Sequence, residues 1–173
     1  MLDVDKIRED FPILQTSVYG RPLVYLDSAA TAQKPQCVID CVNRLHRELN
    51  ANIHRGVHYM AEQCTSLYEA ARQTICERIG AAEAREIVFT SGATAAVNLV
   101  SHSFGDVAVG EGDNVIVSEM EHHSNIVPWQ LMCGRKGAEV RVLPFDDDGR
   151  LEIEKLPSLI DSRTRIVAVT QCS

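Results

Sequence analysis

Three stretches of this 173-residue sequence gather side chains that could do chemistry. In Ile87–Leu99, an apolar run delivers the chain to Ser91-Gly92-Ala93-Thr94, and a helical pattern follows. A helix that starts on small residues turns its free amides and the positive end of its dipole toward whatever lies in front of it, which favours an anion. Ser91 and Thr94 add hydroxyl donors, and Gly92 with Ala93 leaves room for a phosphate. The same stretch could be an ordinary strand-to-helix turn with a hydroxyl cap. Neither the dinucleotide-binding nor the Walker pattern of glycines is present.

The second stretch, Val117–Trp129, carries Glu121-His122-His123-Ser124-Asn125 after another apolar run. It therefore lies at the same carboxyl edge of a sheet as the first turn, where open α/β sheets bind ligands. An imidazole there could stack on an aromatic cofactor or move protons near neutral pH. A helix-capping histidine is a plainer reading, and a metal site built with Glu121 and His122 is a third, though no further ligand accompanies them. The third stretch, Asn52–His58, places His54 and Arg55 in a polar break between two helical segments. It reads equally as a solvated loop or as a donor fork for a carboxylate or phosphate.

These residues need elements to hold them. A short helix over Asp3–Asp10 is closed by Phe11-Pro12, because proline disfavours helical backbone in the residue before it. Leu23–Leu26 reads as a short strand entering the small-residue run Asp27–Thr31. Pro35 opens a helix to about Leu49, and Leu67, Ala71, Ile75 and Ile79 put one apolar face on a long helix over Tyr59–Ile79, stopped by Gly80. Strands are expected at Glu86–Thr90, Asn114–Ser118, Glu139–Leu143 and Arg165–Thr170, alternating with helices at Ala93–Val107, Asn125–Lys136 and Glu152–Asp161. That alternation predicts an α/β fold with a mostly parallel sheet flanked by helices. An arm over residues 1–22 and a larger domain over 23–173 follow as the division of the chain.

Composition narrows the class. With 45% hydrophobic residues the chain can bury a sizeable core, and a net charge of -7 disfavours nucleic acid or an anionic membrane as partner. No basic-plus-apolar leader or membrane-length apolar run is present, so a cytoplasmic location is expected. The cysteines at 37, 41, 64, 76, 133 and 172 form no CxxC pair; they are expected to be reduced packing residues, and no metal is expected.

Taken in order, Val24–Pro35, His54–His58, Phe89–Thr94 with Asn98, and Met120–Gln130 closely resemble the class V aminotransferase group of fold-type I pyridoxal-phosphate enzymes, and within it the SUF-type cysteine desulfurases. The resemblance implies part of the large domain of that fold, incomplete in this chain. It implies that Ala93 and Thr94 bind the phosphate of pyridoxal 5'-phosphate, and that His123 stacks on its ring and assists proton transfers. Ala29 and Ala30 would border the substrate pocket, and His54 and Arg55 would lie near a homodimer interface and the mouth of the site. The implied reaction takes sulfur from L-cysteine, leaves alanine, and passes the sulfur as a persulfide to an acceptor protein of the SUF system for iron-sulfur cluster assembly.

Two positions depart from the SUF pattern: Ala93 stands where many members carry threonine, and Ala95 where glutamate is common. The resemblance also implies that the Schiff-base lysine, the aspartate on the pyridine nitrogen and the persulfide cysteine lie beyond Ser173. None of Lys6, Lys34, Lys136 or Lys155 has the sequence context of the first, and Cys172 aligns with a position in the last strand instead of the catalytic cysteine. The expectation is an N-terminal portion that is inactive by itself and liable to self-associate. A selenocysteine lyase or other class V enzyme, or a non-catalytic remnant acting in dimerisation or partner binding, are the other readings.

Overall fold

The computed structural model describes residues 2–171. The chain forms two compact units, Met1–Ile87 and Val88–Ser173.

The first unit is helical. Helix α1 (Val4–Glu9) starts where the Asp3 carboxylate accepts from the Lys6 amide at 3.1 Å, and Phe11, held extended before Pro12, ends that segment and leads into a 3-10 turn over Pro12–Gln15. Strands β1 (Ser17–Val18) and β2 (Arg21–Pro22) then form a small antiparallel hairpin. Tyr19 and Gly20 between them both have positive φ, the conformation of a tight hairpin turn. Helix α2 (Gln36–Arg44) continues as a π-helical turn over Leu45–Leu49. Helix α3 (Tyr59–Ile79) begins at His58, whose ring accepts from the Ala61 amide, and ends at Gly80 in the left-handed region, both ends as the sequence predicts.

The second unit is built on a sheet. Helix α4 (Ala93–Val100) runs through a π-helical turn, Ser101–Gly105, into the short α5 (Asp106–Ala108). Strand β3 (Asn114–Ser118) leads by a 3-10 turn, His123–Asn125, to α6 (Val127–Lys136) and then β4 (Glu139–Leu143). A further 3-10 turn (Ile153–Lys155) and α7 (Leu156–Leu159) precede β5 (Thr164–Ala168). The strands are all parallel, in the order β4-β3-β5. Every residue of β3 is buried, as a central strand requires. Its Val115 and Val117 pack with Trp129, Met132 and Cys133 of α6.

Two expected strands do not form. Leu23–Leu26 is irregular, with Leu26 91% exposed, and residues 87–90 lie outside the described strands, with Val88 63% exposed. A β-prone run becomes a strand only when a neighbouring ladder takes up its amides and carbonyls, and the described sheets do not extend to either segment. Two cysteines also depart from expectation: Cys37 and Cys41 are exposed, on a helix that buries no residue, whereas Cys76 and Cys133 are buried packing residues. The position of Cys172 lies outside the described residues.

Candidate active site

At the carboxyl edge of the second unit's sheet, the start of α4 meets the connection from β3 to α6. Gly92 has φ 156° and ψ 175°, a conformation that only glycine adopts readily, and a Cβ built there would meet nothing within 4 Å. The first helical bond is Ala96 N–H to Gly92 O at 3.0 Å, so the amides of Ala93, Thr94 and Ala95 have no acceptor within the helix. No side chain caps them. The Thr90 hydroxyl donates to Gly92 O at 3.0 Å, and the Asn98 amide to Thr94 O at 2.8 Å, which brace the turn from both sides. Three amides without an acceptor in the helix, at its positive end, form a cradle for an anion.

Beside this turn lies a cavity of about 310 Å³ whose polar lining is Thr94, Asn98, His122, His123 and Ser124. Val127, Pro128 and Leu131 form its apolar wall. Its size is at the lower end of small-molecule sites, about 300–1,000 Å³. Both imidazoles reach it, although the sequence places only His123 there. They differ in what already occupies them. His122 Nδ1 accepts from the Ser124 amide at 3.1 Å and lies 2.9 Å from the Ser124 hydroxyl, so its ring caps the 3-10 turn. Among the described residues the His123 ring makes no such hydrogen bond; it meets His122 edge-on at 84° with 6.2 Å between centroids.

Beneath the turn is Glu121, 8% exposed. Its Oε1 accepts from the Ser118 hydroxyl at 2.6 Å and the Thr170 amide at 2.7 Å, and its Oε2 from the Asn125 amide at 2.8 Å. Burial raises its pKa, but these hydrogen bonds outweigh burial and hold it below the ordinary glutamate value. Asn125 also donates to Ala168 O at 3.3 Å and accepts from the Trp129 indole at 3.0 Å. Glu121 was legible only as a metal-ligand alternative; the four-residue spacings Glu121-Asn125-Trp129 were the available signal of a network.

Thr94 and His123 are therefore brought to one cavity beside the Ala93 amide. Ala29, Ala30, His54 and Arg55 belong to the first unit. Ala29 and Ala30 sit in a turn closed by the Tyr25 hydroxyl, which donates to Thr31 O at 2.7 Å and lies 3.1 Å from Asp27 O. His54 has φ 68°, donates its amide to Thr65 Oγ1 at 2.9 Å, packs edge-on against Tyr68 and lies 3.6 Å from Glu69, while Arg55 is exposed. Among the described residues no group of three or more potential ligands could hold a metal, and no helix is long and apolar enough to cross a membrane.

The donor set suits a phosphorylated aromatic cofactor: outward amides at one end, and an uncommitted ring at the cavity beside them. None of the chain's lysines lines the cavity.

The chain is 52% identical over 170 residues to a cysteine desulfurase of Dickeya dadantii, covering 98% of this chain and 41% of that protein. For a cysteine desulfurase of Klebsiella pneumoniae the identity is 49%, with 98% and 42% covered. The chain thus spans about two fifths of the length of the curated relatives it matches. Its fold superposes on the apo cysteine desulfurase of Thermococcus onnurineus with a TM-score of 0.86 at 30% identity, over 98% of this chain and 40% of that one. A cysteine desulfurase of Escherichia coli gives 0.80 at 35% identity, over 96% and 41%. Residues 24–173 match the aminotransferase class-V family, and the chain belongs to that family.

Proposed function

We propose that this chain supplies the phosphate cradle and the ring-stacking face of a pyridoxal-phosphate-dependent cysteine desulfurase. The observation that carries the reading is the meeting of the unoccupied α4 amides, Thr94 and the uncommitted His123 ring at one cavity. Identities near 50% to proteins named cysteine desulfurases support the choice of L-cysteine as substrate.

Bound pyridoxal 5'-phosphate would supply an electron sink for bond breaking at the amino acid. The chain's own residues do the rest of their share. The Ala93, Thr94 and Ala95 amides and the Thr94 hydroxyl would hold the phosphate at the positive end of the α4 dipole. His123 would stack on the ring and move protons at its own nitrogens, and the wall of Val127, Pro128 and Leu131 would keep water from that side. His122 keeps the turn in shape.

Ala29 and Ala30 border the substrate pocket in this reading, and His54 and Arg55 stand at a homodimer interface near its mouth. The arm of residues 1–22 precedes a cofactor-binding domain from residue 23. The sulfur passes as a persulfide to a SUF-type acceptor for iron-sulfur assembly in the cytoplasm, a subgroup supported by Met120–Gln130.

The test is sulfide release from cysteine by the whole protein that carries this chain. His123→Ala is expected to slow it by about 10²-fold or more, and His122→Ala by less. Equal losses, or the reverse order, would overturn the assignment of the two rings.

A further inference from the structure

We infer that Glu121 is the positioning residue of this site: its carboxylate clamps the His122-His123-Ser124 turn to the carboxyl end of β5 and so sets the attitude of the His123 ring. The inference rests on the role proposed above for His123, but the clamp is visible without it. Residues 122–124 are the segment between two anchored points, Glu121 and Asn125, which bond to each other at 2.8 Å. Both anchors also reach the neighbouring strand's end, Glu121 through the Thr170 amide and Asn125 through Ala168 O. Ser118, the last residue of β3, completes the attachment.

The direction of the Asn125 bonds in the clamp follows from one group that can only donate. The Trp129 indole N–H must be given an acceptor, so the Asn125 side-chain oxygen turns toward it at 3.0 Å. The Asn125 NH₂ then points at Glu121 and Ala168 O. Glu121 consequently meets a donor at each oxygen, from Asn125 on one side and from Ser118 and the Thr170 amide on the other. Only an ionised carboxylate satisfies all three; the glutamine isostere would turn an NH₂ onto a donor. Among the described residues Glu121 bonds to Ser118, Asn125 and Thr170 and to neither imidazole, which is why it acts through the turn and not as an acid or base toward the ligand.

The experiment compares Glu121→Gln with Asp113→Asn in the complete protein. Asp113 holds the opposite, amino-terminal edge of the sheet through Gly110, Arg163 and Arg165, so its variant controls for general loosening of the unit. Without cofactor, Glu121→Gln is expected to speed amide hydrogen exchange over 121–126 and to shift or broaden the His123 imidazole resonance, while Asp113→Asn leaves both as in the wild type. With cofactor, Glu121→Gln should lower kcat for sulfide release by up to about 10²-fold, with a changed visible spectrum of the bound cofactor and little change in KM. Ser118→Ala removes one of the three donors and carries the same comparison at smaller amplitude should Glu121→Gln not fold. Unchanged exchange and an unchanged His123 resonance in these variants would overturn the inference, as would equal effects from Asp113→Asn. A wild-type protein that releases no sulfide would sink the proposed reaction while leaving the cofactor-free measurements to decide the clamp.

Discussion

Helix α6 buries Pro128, Trp129, Met132 and Cys133 within its ten residues, whereas α3, at twice the length, buries only Ala61 and Cys76, and α2 buries nothing. The difference is what each helix has to lie on. In the second unit β3 offers a continuous apolar surface, Val115 and Val117 toward α6 and Ile116 on the other side, so one packed core gathers around it. In the first unit the described sheet is a two-residue hairpin, and Val38, Ile39, Val42, Leu67, Ile75 and Ile79 stay exposed. A helix can form from its own hydrogen bonds, but the energy that fixes it in place comes from apolar area removed from water, about 25 cal/mol per Å². The lesson is that the stability of the two units should respond to different substitutions.

The largest effect is expected in the core. Trp129→Ala should cost about 3–5 kcal/mol, through lost burial, an unfilled cavity and the loss of the indole bond to Asn125. Leu67→Ala on α3 removes a side chain that is already 41% exposed, and should cost about 1 kcal/mol or less. Denaturant titrations of the two variants check this, and equal losses would erase the contrast between the units.

The next effect is pH dependence, which falls on the second unit. Asp161 is held at about 2 by Arg141 first and then by the Arg163 amide; Asp113 is lowered chiefly by Arg165, and Glu121 is lowered by its hydrogen bonds despite burial. Each folded-state pKa lies below the unfolded one, so the stabilisation is present above the ordinary carboxylate range and is lost as pH falls through the folded value. For Asp161 that window runs from 3.8 down to about 2. At the other end, burial and the nearby Glu139 raise the Cys133 thiol, so its contribution is intact below 9.0 and declines as pH rises above it. Trp129 is the sole tryptophan and sits in this core, so its fluorescence follows this unit directly. Acid unfolding that begins in the helical signal while Trp129 stays buried would reverse the expected order.

The smallest effect separates two equivalent stops. Gly80 ends α3 and Gly137 ends α6, both with positive φ, 71° and 67°. Alanine at either should cost about 1 kcal/mol for its backbone conformation alone. At Gly80 the new methyl meets nothing within 4 Å, while at Gly137 it comes within 3.2 Å of Glu111 Cγ. Gly137→Ala should therefore lower the melting temperature further than Gly80→Ala; the opposite order would mean that crowding at Glu111 relaxes without cost.

Where sequence and structure agree, the deciding physics was local. The span Tyr59–Ile79 is visible from its spaced apolar residues and its glycine stop, and β3 and β4 from short Val and Ile runs. Leu23–Leu26 had the same composition, but a strand also needs a neighbour, which composition does not reveal. Pairing the α4 turn with His123 was legible because both follow apolar strand-like runs in sequence. The choice of His123 over His122 for the ring face came from the resemblance; that His122 Nδ1 takes up the Ser124 amide was hidden, because it depends on the shape of the turn. The hairpin around Tyr19 was also hidden, since tyrosine rarely takes a positive φ.

The π-helical turn at Ser101–Gly105 sets how the chain tolerates changes of length. A π turn holds one more residue than an α turn over the same axial span. Its ends are fixed in the core, Ser101 by its hydroxyl on Pro128 O at 3.1 Å and Gly105 by burial against Met132, while His102, Ser103 and Phe104 between them are exposed. Deleting Ser103 would let the turn close to α geometry while Asp106 and everything after it keep their places. The same deletion in the middle of α3 would rotate all that follows by about 100°, so a single lost codon would be absorbed in one helix and ruinous in the other.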